Sequence, residues 1–249
     1  MKQTLAILVG LLFLISCEND TISQCFETNT TESKNYVISD FDTLVVGEFL
    51  EVELIPSTEN LIITEAFSAK NGTFHINQDN TKLEISLQNS CISTSQAPKV
   101  RLKLYLKQLT TIYNNSAYTV YSRDTLNLNS LKLISDTNQE LSNFGSGSFD
   151  LLINNHSTTI ISTGISEFNL SGEVEQLNLQ IYSGVSAVNA KELNSESIKL
   201  FYRSSHHSYL GTTNSISGEI RSSGNIILNQ IPDFAEVESF YTGELIIND

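Results

Sequence analysis

Three cysteines and four histidines are the residues best suited to nucleophilic or metal chemistry in this chain, and none is spaced for it. His206 and His207 are adjacent, so on a strand they would point to opposite faces and could not close on one ion. His75 and His156 stand alone. The many serines include none in a Gly-x-Ser-x-Gly elbow, and there is no phosphate-binding glycine loop, dinucleotide fingerprint or zinc-type cysteine pair. Sugar hydrolysis would need paired carboxylates. Glu173 and Glu175 share one face of a strand and form the nearest approach to such a pair, but they fall at an expected solvated corner. We therefore expect no catalytic residues, no metal and no cofactor. Tyrosines offer a different chemistry. Tyr182 and Tyr202 lie 20 residues apart, each after an apolar residue read as inward, and Tyr113 follows Ile112 in the same way. All three are expected to point outward, either as a contact surface for a protein or glycan partner or as a ladder that stiffens the sheet.

Cys17 has a setting of its own. A positive start at Met1-Lys2-Gln3 leads into an apolar run from Leu5 to Ile15, about 17 Å as a helix and too short to span a bilayer. Leu14-Ile15-Ser16-Cys17 resembles a lipobox, so residues 1–16 read as a lipoprotein signal peptide and Cys17 as the lipidated new N-terminus. Two or three acyl chains on one residue anchor a protein stably. Glu18-Asn19-Asp20 resembles the surface-export signal of Bacteroidetes lipoproteins. The expected location is the outer membrane, at the cell surface or on the periplasmic face. Residues 17–35 would then form the lipidated cysteine and a polar tether. Cys25 and Cys91, left in an oxidising compartment, either pair as a disulfide or stand as two independent thiols.

The formal charge is −14, and removing residues 1–16, whose only charge is Lys2, makes it −15. Such a chain is repelled by nucleic acid, which leaves the membrane, through the lipid, and an unidentified protein or glycan as expected partners.

The elements that must position these residues are strands. Phe49-Leu50-Glu51-Val52-Glu53-Leu54 and Lys99-Val100-Arg101-Leu102-Lys103-Leu104-Tyr105-Leu106 alternate polar and apolar, as half-buried strands do. No helical apolar period persists. Further along, Gly164, Gly184, Ser204 and Gly224 recur at intervals of 20, 20 and 20 residues, flanked by Gly145 and Gly243 at 19. A fixed period of this kind signals stacked coils. The expected fold is all-β: a right-handed parallel β-helix-like solenoid of about 20-residue coils over residues 111–249, preceded by a β-rich part over 36–110. A uniform period places Ile161, Ile181, Phe201 and Ile220 in one inward column. It also puts glycine at each corner for its freedom at positive φ.

The opening Ser39-Asp40-Phe41-Asp42-Thr43-Leu44-Val45-Val46-Gly47-Glu48-Phe49 is similar to that of the head GIN domain family, adhesin-like lipoproteins common in Bacteroidetes. So are the central Val100–Ile112 stretch and the Ser-Gly-x-Ser turns, clearest at Ser183-Gly184-Val185-Ser186. The resemblance covers residues 36–249. It implies a β-helix-like architecture and an adhesion role, and it carries no catalytic or ligand residues. Asn114-Asn115-Ser116-Ala117 and Ser204-Ser205-His206-His207 depart from the family's turns.

Overall fold

A computed structural model describes residues 32–67, 73–88, 100–136 and 146–248. The expected lipidation at Cys17 and the Cys25–Cys91 pairing lie outside them. Every regular element among the described residues is a strand. In order they are β1 (Glu32–Val37), β2 (Thr43–Val46), β3 (Leu50–Pro56), β4 (Leu61–Phe67), β5 (Thr73–Asp79), β6 (Lys82–Gln88), β7 (Val100–Leu106), β8 (Thr111–Asn114) and β9 (Thr119–Tyr121). Then come β10 (Leu126–Ser135), β11 (Ser148–Ser162), β12 (Glu167–Ile181), β13 (Ala187–Tyr202), β14 (Ser208–Leu210), β15 (Thr213–Ile220), β16 (Ile226–Leu228), β17 (Phe234–Ser239) and β18 (Leu245–Ile247). They form one 18-stranded sheet, curled and open, around a single apolar core.

The alternating strands behave as their pattern requires. In β7, Val100, Leu102, Leu104 and Leu106 are buried while Arg101 is exposed. β4 pairs antiparallel with β1 and with β7, and β5 pairs antiparallel with β6. From β8 onward each strand lies parallel to its counterpart one coil along. β2 and β3 already belong to this stack, because they pair parallel with β8 and β9. The N-terminal strands and the repeats thus share one sheet and one core.

Parallel stacking puts equivalent residues in columns. One inward column runs Leu83, Leu44, Ile112, Leu133, Ile160, Leu179, Leu200, and all of its members are buried. Across the core, Phe149 and Phe168 stack at 5.2 Å between ring centroids, with planes 12° apart. Coils sit about 4.8 Å apart, so each column is a continuous rod of apolar contact.

The coils are not uniform, and this overturns part of the expected register. From Ile160 to Leu179 the pairing advances 19 residues. From Leu179 to Leu200 it advances 21, because the register shifts between Asn169 and Ser171. The next two steps are 18, from Leu200 to Gly218, and 19, from Gly218 to Val237. The column through Ile181 is therefore Ser162, Ile181, Tyr202, Ile220. Ile181 and Ile220 are fully buried, as expected. Ile161 and Phe201 instead fall in the neighbouring outward column, because a one-residue slip exchanges the faces of a strand. For the same reason Tyr202, expected to face outward, is fully buried.

The glycine corners also have a different cause. Of these corner glycines only Gly184 has positive φ, at 90°. What the position demands is close approach between coils: a Cβ on Gly184 would meet Gly164 O at 2.0 Å, and one on Gly224 would meet His206 O at 2.0 Å. Ser204 occupies its corner without positive φ.

Candidate binding surfaces

The serines of the repeated turns belong to the interior. Ser162, Ser166 and Ser186 are buried. The Ser162 and Ser186 hydroxyls lie 2.7 Å apart, and Ser186 Oγ donates to Gly164 O at 3.0 Å and accepts from Ser166 N–H at 3.0 Å. Each coil corner buries backbone polar groups that need partners, and the Ser-Gly-x-Ser motif supplies the hydroxyls. The motif is a structural device with no nucleophile in it.

Tyr202 extends this device. In its coil the column of Phe149, Phe168 and Val188 continues as Ser208, while Ile181 gives way to Tyr202. The larger ring and the smaller serine compensate in volume. Tyr202 Oη lies 2.8 Å from Ser208 Oγ and donates to His206 O at 2.6 Å. Burial, the dominant cause, pushes its phenol above the usual tyrosine range, against the lowering effect of the hydroxyls of Ser208 and Ser204. Tyr202 is removed from the candidate contact surface.

The other two tyrosines do face outward. Tyr113 is half-buried on β8, in the outward column that continues through Ile134, Ile161, Gln180 and Phe201. Tyr182 is 43% exposed at the corner after β12, and its ring packs on Phe201 at 5.5 Å. The tyrosine surface thus survives as Tyr182 with Phe201, with Tyr113 farther along the stack.

Outward residues also enclose a polar groove of about 450 Å³ across four coils. Asn154, Glu173 and Asn194 form one wall, and Asn129, His156, Glu175 and Glu196 the other, over a floor that includes Asn155 and Val174. Residues two apart share a face of a strand, which is why the walls read i and i+2 in each coil. His156 Nδ1 lies 2.6 Å from Glu175 Oε2. Below the rim, buried Asn155 is satisfied: its Oδ1 accepts from Leu128 N–H at 3.1 Å and its amide donates to Thr158. The pair Glu173 and Glu175, legible in the sequence only as a solvated corner, lies in this groove. Glu196 and His156 join it solely through stacking, and no spacing in the sequence announces them.

A second concavity, formed by Glu51, Glu53, Glu65, Arg101, Lys103, Thr119, Tyr121, Arg123 and Asp150, carries its own partners. Arg101 pairs with Glu51 at 2.8 Å, Lys103 with Glu65, and Arg123 with Glu53 at 3.5 Å. Its cations and carboxylates are spent on each other. His206 and His207 share no metal site: His207 Nδ1 accepts from Asn225 N–H at 2.9 Å, while His206 gives its backbone carbonyl to Tyr202. Among the described residues no cluster of His, Cys, Asp and Glu could hold a metal ion.

The family described as "Putative auto-transporter adhesin, head GIN domain" matches residues 40–232. No curated protein matches the sequence. Among solved structures, a "putative adhesin" from Bacteroides fragilis has a TM-score of 0.77 at 16% identity, covering 89% of this chain and 98% of that one. A "putative adhesin" from Parabacteroides merdae gives 0.60 at 12% identity, covering 89% and 98%. A "putative lipid binding protein" from Parabacteroides distasonis gives 0.57 at 14%, covering 89% and 98%. At these identities the likeness is one of fold.

Proposed function

The chain belongs to the head GIN domain family of adhesin-like proteins, and from that premise we propose that it is a non-catalytic cell-envelope protein whose stacked coils present a glycan-binding groove. In this reading Cys17 carries the lipid that holds the protein at the outer membrane, and the coils form a right-handed solenoid. The observation that carries the reading is the groove across β10–β13. Its walls alternate amides, which donate and accept, with carboxylates, which accept only. That inventory suits a ligand rich in hydroxyls. A volume of about 450 Å³ falls in the range of small-ligand sites. Four coils span about 14 Å at the spacing of stacked strands, enough for a short oligosaccharide. The carboxylates select against acidic sugars and in favour of neutral or amine-bearing ones.

A glycan array probed with the mature protein tests this directly. Neutral or amine-bearing glycans should be retained and then lost in the Asn154→Ala/Asn194→Ala variant. An empty array, or retention unchanged by the double substitution, refutes the groove. Glu173, Glu175 and Glu196 in one groove also favour a second reading, a β-helix-type carbohydrate-active enzyme. A reducing-sugar release screen separates the two: no release is expected, and release abolished by Glu175→Gln would establish the enzyme. Cys17→Ser should move the protein from the detergent phase to the aqueous phase, and partition unchanged by that substitution would disprove the anchor.

A further inference from the structure

A third surface lies at the corner where the chain leaves one face of the stack. Backbone bonds fix its register: Tyr182 N–H donates to Ser162 O at 2.9 Å, Arg203 N–H to Ile181 O at 2.8 Å, Arg221 N–H to Tyr202 O at 2.8 Å and Phe240 N–H to Ile220 O at 2.9 Å. Tyr182, Arg203, Arg221 and Phe240 are thus equivalent positions on four successive coils. Nine large hydrophobic residues are exposed among the described residues, and five of them, Ile165, Tyr182, Val185, Phe240 and Tyr241, lie on this corner. Contiguous exposed apolar surface of this kind marks interaction sites, whereas scattered residues do not.

The two arginines between the apolar ends differ in state. Arg221 is engaged, 2.5 Å from Glu219 Oε2 and 3.8 Å from the centroid of Phe240. Arg203 is exposed and has no hydrogen bond, ion pair or ring contact through its side chain among the described residues. A free guanidinium between aromatic side chains has the composition of an interface hot spot, where Arg and Tyr are enriched. Its five donors fit a carboxylate in a bidentate fashion.

We propose that this corner docks an extended segment of another protein carrying one carboxylate between two apolar side chains. The carboxylate seats on Arg203. One apolar side chain packs against Tyr182, Phe201 and Val185, and the other against Phe240 and Tyr241. The spacing agrees. Tyr182 to Phe240 is three coil steps, about 14 Å, and residues i and i+4 of an extended strand are about 13 Å apart. The acid at i+2 then falls between the second and third coils, where Arg203 and Arg221 stand. The chain's net charge of −14 repels polyanions at long range, which limits the partner's segment to one or two acids. This surface is separate from the polar groove, so the two readings stand or fall independently.

The test uses the purified full chain and fluorescein-labelled peptides, Phe-Thr-Asp-Thr-Phe against Phe-Thr-Asn-Thr-Phe, followed by anisotropy. The Asp peptide should bind saturably, at least about tenfold tighter than the Asn peptide, the discrimination expected of one charge-assisted contact. Arg203→Gln should erase the difference. Arg203→Glu should invert it in favour of Phe-Thr-Lys-Thr-Phe, and Tyr182→Ala should weaken all the peptides. Glu175→Gln, in the groove, should change nothing. Equal binding of the Asp and Asn peptides, no saturable binding up to millimolar peptide, or insensitivity to Arg203→Glu in a protein of unchanged circular dichroism would each overturn the proposal.

Discussion

Replacing Tyr202 with alanine should be among the most destabilising single changes in this protein. The residue stands between Ile181 and Ile220, fully buried, so truncation removes a ring from the core and leaves a cavity. For an aromatic residue that costs about 3–5 kcal/mol. Removing the hydroxyl alone isolates the polar contribution. Tyr202→Phe deprives His206 O of its donor at 2.6 Å and Ser208 Oγ of its partner at 2.8 Å. A buried bond of this sort contributes about 0.5–1.5 kcal/mol, with a larger loss when a group stays unsatisfied. Ser208 retains one role in either case, because its Oγ accepts from Val188 N–H at 2.9 Å. Tyr202→Phe combined with Ser208→Ala should therefore show coupling of about 0.5–1.5 kcal/mol. Urea melts followed by far-ultraviolet circular dichroism suit a chain with no tryptophan. If Tyr202→Ala cost less than about 1 kcal/mol, the ordinary range for surface positions, the tyrosine would be outward after all and the 19- and 21-residue steps would be misassigned. Zero coupling in the cycle would refute the hydroxyl contact while leaving the burial intact.

Other expectations follow from the same columns. Ile181→Ala should cost about 2–5 kcal/mol and Tyr182→Ala about 1 kcal/mol or less, and comparable losses in urea melts would mean that the strand face is wrong. Gly184→Ala should destabilise by more than about 1 kcal/mol, because a Cβ would press on Gly164 O and φ is 90°; a melt matching the parent would contradict coil-to-coil contact there. The raised phenol of Tyr202 makes stability full below the unfolded tyrosine value of about 10 and lost as pH rises above it, since the unfolded chain then ionises first. Tyr202→Phe should flatten that alkaline slope in melts taken between neutral and strongly basic pH, and an identical slope would argue against burial. Unreduced mature protein should yield a Cys25–Cys91 peptide pair by mass spectrometry, and full alkylation without reductant would exclude the disulfide.

The all-β class was legible in the sequence because alternation in stretches such as Val100–Leu106 is a local property of each strand. So was the existence of stacked coils, since the turns themselves repeat. Ile181 inward and Tyr182 outward also followed from local pattern. What the sequence could not carry was the step between coils. Register is set by backbone pairing between neighbours, and one irregularity between Asn169 and Ser171 shifts it without altering the spacing of the corners. That shift turned Tyr202 into the core and brought Phe201 out beside Tyr182. The binding surfaces were hidden for the same reason. Asn129, His156, Glu175 and Glu196, like Tyr182, Arg203, Arg221 and Phe240, are far apart along the chain and adjacent only once the coils stack. Single-strand patterns decide which side of a strand faces water, whereas only the tertiary ladder decides which side chains meet there.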